Sequence, residues 1–228
     1  MENYEKRLEG GGCHDEKPYC LFTGAALECA PCKKNSERKD IMLQWRELRA
    51  DERESWYRDK LRRDFPADEL KPRAMIEKLI GQGRYHCYGF FDEAGHPAAY
   101  AYTMECEEYV LLDYLAVEPD ARGQGIGSQV LPLLGEIIGD RTMLIEAENP
   151  ACARSLPDRD TRQARIRFYQ KGGMRLSGVL EDAFGVEYRI LTGGRERTDE
   201  EVAGAMMDIY YAMVPEEIVR REVKTWIP

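Results

Sequence analysis

The sequence has few of the features on which several protein classes depend. Only three histidines (His14, His86 and His96) occur among 228 residues, which removes most routes to histidine-based catalysis. No apolar run approaches the length needed to span a bilayer, and the segment after Met1 is charged and polar. We therefore expect a cytoplasmic protein without a signal peptide and without a membrane partner.

Basic residues are fewer than acidic residues. The chain has 33 Lys and Arg residues against 42 Asp and Glu residues, which gives a formal net charge of -9. Such a surface repels a phosphate backbone, so we expect no nucleic-acid partner. The same negative surface would attract a cationic amine. The alternative is that the negative charge only keeps the protein soluble.

The seven cysteines are unevenly spread, and four of them (Cys13, Cys20, Cys29 and Cys32) lie in the first segment. An odd total without a secretion signal argues against a disulfide framework. Cys29 and Cys32 have the spacing of half a zinc site, and Cys13 and Cys20 can supply the other half. The alternative is a set of unmetallated thiols in a flexible arm.

The chain divides into three parts by composition and periodicity. Residues 1–40 form a cysteine-rich extension, 41–194 form the main domain, and 195–228 form a helical segment that packs on that domain or on a second subunit in a homodimer. The pattern predicts strands at 41–48, 85–91, 98–106, 109–117, 142–147, 174–180 and 186–192, and helices near 51–65, 75–80, 127–138, 162–171 and from 198. This order predicts an α/β fold around one mostly antiparallel sheet.

A glycine-rich turn between the strand at 109–117 and the following helix stands out. Three alternating glycines (Gly123, Gly125 and Gly127) allow positive φ angles and close approach of a ligand to the backbone. N–H groups beside a helix N-terminus favour a pyrophosphate. The spacing matches neither GxGxxG, because Ser128 or Val130 replaces the third glycine, nor a Walker loop. By itself, the turn could equally serve only to start a helix.

Two motifs in the correct order resemble the GNAT superfamily of acyl-CoA-dependent N-acyltransferases over roughly residues 41–193. Arg122, Gly125 and Gly127 meet that family's signature of Arg or Gln, two residues, Gly, one residue, then Gly or Ala. The segment from Arg167 to Met174 resembles the family's tyrosine-bearing helix and the strand entry after it. The resemblance implies a mixed, mostly antiparallel sheet flanked by helices, with acetyl-CoA as co-substrate.

The same resemblance implies particular site residues. Coenzyme A would contact Leu115, Ala116, Val117, Arg122, Gly123, Gln124, Gly125, Ile126, Gly127 and Ser128. The Val117 N–H would bind the thioester carbonyl in the manner of an oxyanion hole. Tyr169 would donate a hydrogen bond to the departing thiolate, and Asn149 would contact the pantetheine region.

The general base is left open by the sequence. Glu146 and Glu148 alternate on one strand, and Asp113 interrupts an apolar strand where an unpaired charge is costly. Glu146 is preferred because a Glu on this strand serves as base in some family members, whereas Asp113 is equally well explained by an exposed or ion-paired position.

Function is therefore predicted as transfer of an acetyl group to a primary amine of a small molecule or peptide. The alternative is a non-catalytic acyl-CoA-binding regulatory protein with the same fold. Neither the acceptor nor a preference for acetyl over longer acyl groups is evident from the sequence. The polar stretch from Ser155 to Arg165 is interpreted as a loop longer than the family's usual one.

Overall fold

The computed structural model describes residues 42–67 and 69–228, and one eight-stranded sheet organises them. The strands are β1 (Gln44–Glu47), β2 (Tyr85–Phe91), β3 (Pro97–Cys106), β4 (Tyr109–Val117), β5 (Thr142–Glu148), β6 (Arg175–Ala183), β7 (Val186–Gly194) and β8 (Val223–Trp226). Their order across the sheet is β1-β2-β3-β4-β5-β7-β6-β8. Only β4 and β5 pair in parallel, so the predicted mixed, mostly antiparallel fold class is confirmed.

Helices cover both faces of this sheet. They are α1 (Ala50–Trp56), which continues through a π-helical stretch (Tyr57–Leu61) into α2 (Arg62–Asp64), then α3 (Arg73–Gly81), α4 (Ile126–Ile138), α5 (Leu156–Lys171), α6 (Asp199–Met213) and α7 (Glu216–Glu222). None of the helices in the described ranges is both long and apolar enough to cross a membrane.

The alternation of side chains along β4 divides the core into two layers. Leu111 belongs to the layer beneath α1, α3 and α6, whereas Val110 and Leu112 belong to the layer beneath α4 and α5. Each fully buried side chain of this kind contributes about 1.5–3 kcal/mol. The sheet is consequently fixed between two helical layers, and β4 and β5 lie at its centre.

The polar stretch predicted as a long loop is instead the first half of a helix. The Ser155 hydroxyl caps α5 by accepting from the Asp158 N–H at 3.2 Å. Within the helix, Asp158 pairs with Arg162 one turn later at 2.9 Å. Only the part before Arg162 was missed, because the first turns of α5 are almost entirely polar and show no apolar stripe.

The C-terminal segment begins as predicted but ends differently. Thr198 caps α6, and its hydroxyl and the Glu201 carboxylate form a reciprocal capping box. After Pro215 and α7, the last residues do not stay helical but form β8, which pairs with β6 at the sheet edge. Four residues are too few for periodicity to distinguish a strand.

Candidate active site

The central strands β4 and β5 separate partway along their length. Their parallel pairing is confined to three rungs, which end at Leu111 and Leu144. Beyond them, β4 continues beside β3, and β5 continues beside β7. Asp113 is the extra residue of a β-bulge, because Tyr114 and Leu112 pair with consecutive residues of β3. The opening between residues 112–117 and 145–148 is called the β4–β5 cleft below.

Backbone amides of β4 point into this cleft. The N–H of Glu118 donates to the carbonyl of Ala98 on β3, at 2.9 Å. Antiparallel pairing alternates, so the N–H groups of Leu115 and Val117 face the opposite edge, toward β5. The N–H of Ala116, between them, faces β3 instead.

The glycine-rich loop joins the end of β4 to the start of α4. Gly123 and Gly125 have φ angles of +76° and +82°, and Gly125 is the N-cap residue of α4. A side chain at Gly127 would bring its Cβ within 3.1 Å of the Phe168 ring on α5. The three glycines therefore have different roles. Gly123 and Gly125 permit the turn, and Gly127 permits close packing of α4 against α5. The first-turn N–H groups of α4 have no acceptor within the helix and point out of its end, a geometry that suits an anion.

Arg122 fastens this loop to the strand that precedes it. Its Nε donates to the Val117 carbonyl at 3.0 Å, and its Nη2 lies 3.0 Å from the Asp64 carboxylate. Asp64 also accepts from the Tyr100 hydroxyl at 2.9 Å and pairs with Arg63 at 2.6 Å. The Asp64 side chain is 1% exposed, so this network is shielded from water and well satisfied.

Substituting Asp64 by Asn is expected to lower the free energy of unfolding by about 2–4 kcal/mol, since it leaves buried Arg122 without its counter-charge. Urea denaturation measures the change. Asp59→Asn is the matched control, because Asp59 pairs with its neighbour Arg58 on the exposed surface. Similar losses in the two variants would contradict a structural role for the buried network.

A cluster of acidic and tyrosine side chains occupies the α6-covered face of the cleft. Asp113 accepts from Lys71 Nζ at 2.6 Å and from the Tyr85 hydroxyl. This pairing explains how a carboxylate is accommodated in an apolar strand. Burial alone would lower the pKa of Lys71, but the charges of Asp113 and Glu146 raise it overall, so Lys71 stays cationic.

The two alternating glutamates of β5 have different partners. Glu146 accepts a hydrogen bond from the Tyr210 hydroxyl of α6 at 2.6 Å. Glu148 is held by two arginines of α5, Arg162 at 3.0 Å and Arg165 at 2.9 Å. Burial, with a further contribution from the charge of Glu146, raises the pKa of Tyr210 well above its ordinary value. Tyr210 is therefore a neutral donor, and Glu146 is the less constrained of the two carboxylates.

Tyr169 and Asn149 both lie after β5, Asn149 directly at its end and Tyr169 on α5. Tyr169 is buried on α5 beside Phe168, and burial raises the pKa of its phenol. The side chain of Asn149 holds the turn after β5, because its Oδ1 accepts from the Ala151 N–H at 3.0 Å and its Nδ2 donates to Glu187. Asn149 thus shapes the end of β5, in addition to any contact it makes with a ligand.

Sequence reasoning overlooked several residues of the cleft. They are Lys71 from the segment before α3, Tyr85 of β2, Glu181 of β6 and Tyr210 of α6, and nothing in their local sequence connects them. Glu181 alone has a visible signal, since it stands between Val179 and Ala183 at the inward-facing positions of β6. A charged residue in an otherwise apolar alternation indicates a special site.

The predicted zinc ligands Cys13, Cys20, Cys29 and Cys32 fall outside the described residues. Within 42–67 and 69–228, no three or more His, Cys, Asp or Glu side chains are grouped so as to hold a metal ion.

Comparisons with known proteins agree with this geometry. Residues 83–173, which include the glycine-rich loop and Tyr169, match the family model described as Acetyltransferase (GNAT) domain. The "Putative acetyltransferase YjbC" of Bacillus subtilis (strain 168) is 34% identical over 164 residues, which cover 68% of this chain and 79% of that protein.

A solved structure shares the fold. It is described as "Putative acetyltransferase from GNAT family from Bacteroides thetaiotaomicron", has a TM-score of 0.57 and 17% identity, and covers 73% of this chain and 96% of its own. Sequence motifs, sheet topology and relatives thus lead to one conclusion: the chain belongs to the GNAT superfamily and is an acyl-CoA-dependent N-acetyltransferase.

Proposed function

We propose that this enzyme transfers an acetyl group from acetyl-CoA to a primary amine by direct attack on the thioester. The observation that carries the proposal is the β4–β5 cleft, which opens beside the glycine-rich loop and has the Leu115 and Val117 amides facing into it. Residues 122–128 would hold the pyrophosphate at the N-terminus of α4. The two β4 amides would bind the pantetheine arm and the thioester oxygen, stabilising the charge that develops there.

The acceptor must lose a proton before it attacks. An amine with a pKa near 10.4 is about one-thousandth neutral at pH 7, which costs roughly 4–5 kcal/mol. Glu146 lies on the cleft, where its carboxylate accepts from the neutral Tyr210 hydroxyl. Asp113 already accepts from Lys71 and Tyr85, so it suits a positioning role. We assign general-base catalysis to Glu146 on this difference.

Tyr169 would act on the leaving group. In the reaction the C–N bond forms, the C–S bond breaks, and the thiolate finally takes up a proton. A phenol is already less acidic than a thiol by roughly 1.5 pKa units, and burial raises the pKa of Tyr169 further. Tyr169 is therefore best suited to donate a hydrogen bond to the sulfur, while water supplies the proton.

Tyr169→Phe should lower kcat tenfold or more and leave the affinity for acetyl-CoA unchanged, because the lost hydrogen bond forms only as charge develops on sulfur. Thiol release and calorimetry give the two quantities. Tyr211→Phe, on the exposed side of α6, is the control. Unaltered turnover in the Tyr169 variant would remove this residue from the mechanism.

The charge of the cleft favours a cationic acceptor. Lys71 balances Asp113, so the carboxylate of Glu146 leaves the cleft with a net negative charge. A thiol-release assay over small amines and peptides with free amines, repeated with propionyl-CoA, tests the acceptor and donor classes together. Calorimetry with coenzyme A tests the first step: absence of binding to the folded protein would overturn the proposed function.

A further inference from the structure

Glu181 of β6 is a buried carboxyl group for which the mechanism above has no use. It is 0% exposed. Among the described residues, neither of its oxygens has a hydrogen-bond partner in good geometry. An isolated ionised carboxylate is strongly disfavoured in such a place, because burial removes its hydration without replacing it.

Titratable groups from neighbouring elements face Glu181, whereas its partner on β8, Thr225, is not titratable. Glu146 approaches from β5, Tyr188 from β7 and Tyr210 from α6. Lys71, from the segment before α3, is the cation of the cluster, and its amino group is already paired with Asp113. Two adjacent carboxylates, Glu146 and Glu181, would therefore repel each other if both were ionised.

We propose that Glu181 is a neutral carboxylic acid whose O–H donates to Glu146, so that the two glutamates hold one proton between them. Glu181 is then a positioning residue for the base: it orients the Glu146 carboxylate together with Tyr210 and leaves a single negative charge at the cleft. The role of Glu181 in turnover rests on the proposed function, whereas the shared proton is independent of it.

The electrostatics of the site support the same arrangement. Burial raises the pKa of Glu181 well above its ordinary value, and the charge of Glu146 raises it further, whereas Tyr210 and Lys71 act in the opposite direction. When Glu146 accepts the proton of the acceptor ammonium group, the pair holds two protons and no charge. One proton then returns to water before the next turnover.

The shared proton can be tested without any substrate, by the pH dependence of stability. A raised pKa in the folded state means that this group's contribution is fully present below about pH 4.3 and is lost as pH rises toward the folded-state pKa. The quantity to measure is the ratio of the unfolding equilibrium constant of the wild type to that of Glu181→Gln. This ratio should increase about tenfold for each unit by which the pH is raised between pH 5 and 7. A ratio that stays constant across this range means that Glu181 is ionised in the folded protein and overturns the proposal.

The positioning role is tested by comparing two neutral replacements. Glu181→Gln retains an N–H donor for Glu146, so its kcat should stay within about threefold of the wild-type value. Glu181→Met fills the same space without a donor, and its kcat should fall at least tenfold while the KM for acetyl-CoA changes less than twofold. Full activity of the Met variant, or an equal loss in both variants, would refute positioning by hydrogen bonding.

Failure of the proposed acetyl transfer and failure of the proposed role of Glu181 would give different results. If the wild-type protein turns over no amine, the proposed function fails, and the stability comparison still decides whether Glu181 carries the proton. If the wild type is active but the Met variant matches it, only the role of Glu181 fails. Either neutral variant serves as the reference for the stability curves, so poor folding of one does not prevent the test.

Discussion

Replacing Glu146 by Gln should lower kcat about 100-fold at pH 7 and leave the KM for acetyl-CoA nearly unchanged. Positioned general bases contribute 10²–10⁴-fold, and Glu146 lies at the β4–β5 cleft with the Tyr210 hydroxyl as its donor. Gln retains the size of the side chain and can still accept from Tyr210, but it cannot take up the proton of the amine. Steady-state thiol release with the best acceptor measures the loss.

Glu148→Gln is the matched control for this substitution. Glu148 lies two residues further along the same strand and is bound by Arg162 and Arg165, away from the proposed proton path. We expect less than a threefold change in its kcat. The defect of Glu146→Gln should also shrink as the pH approaches the pKa of the amine, near 10.4, because the acceptor then ionises without help. A defect that is equal in both variants, or independent of pH, would exclude Glu146 as the base.

Gly125→Val should weaken coenzyme A binding at least 100-fold, which corresponds to about 2.7 kcal/mol. Gly125 has a φ angle of +82°, and apart from its neighbours in the chain no described residue comes within 4 Å of a Cβ built there. The open space is where the proposed pyrophosphate site lies, so the new side chain obstructs the ligand rather than the protein core. Backbone strain at such a position costs of order 1–3 kcal/mol, and calorimetry on the folded variant measures binding.

Strain alone must be separated from obstruction of the ligand. Gly83 has a φ angle of +68° and also has open space around its Cβ position. It precedes β2 at the end of the strands opposite to the glycine-rich loop. Gly83→Val should lose similar stability and bind coenzyme A normally. If both variants bind normally, the loop is not the pyrophosphate site.

Local patterns in the sequence were sufficient for most of the secondary structure. The strands β2 to β5 and helix α4 lie within one residue of their predicted bounds, because each has a continuous run of one periodicity. The first half of α5 and the short strand β8 were missed. Their residues are too polar or too few to show a period.

The sequence by itself determined the family, the glycine-rich loop and the candidate residue Tyr169, since each belongs to a motif of consecutive residues. It left Glu146 as one of three candidate bases. Tertiary structure decided which side chains meet. Lys71 and Asp113 are 42 positions apart, and Glu146 and Tyr210 are 64 positions apart. Their contacts depend on how a β-bulge in β4 and helix α6 pack around the cleft. No local propensity encodes such long-range packing, so the charge and hydrogen bonding of the site emerge only from the folded chain.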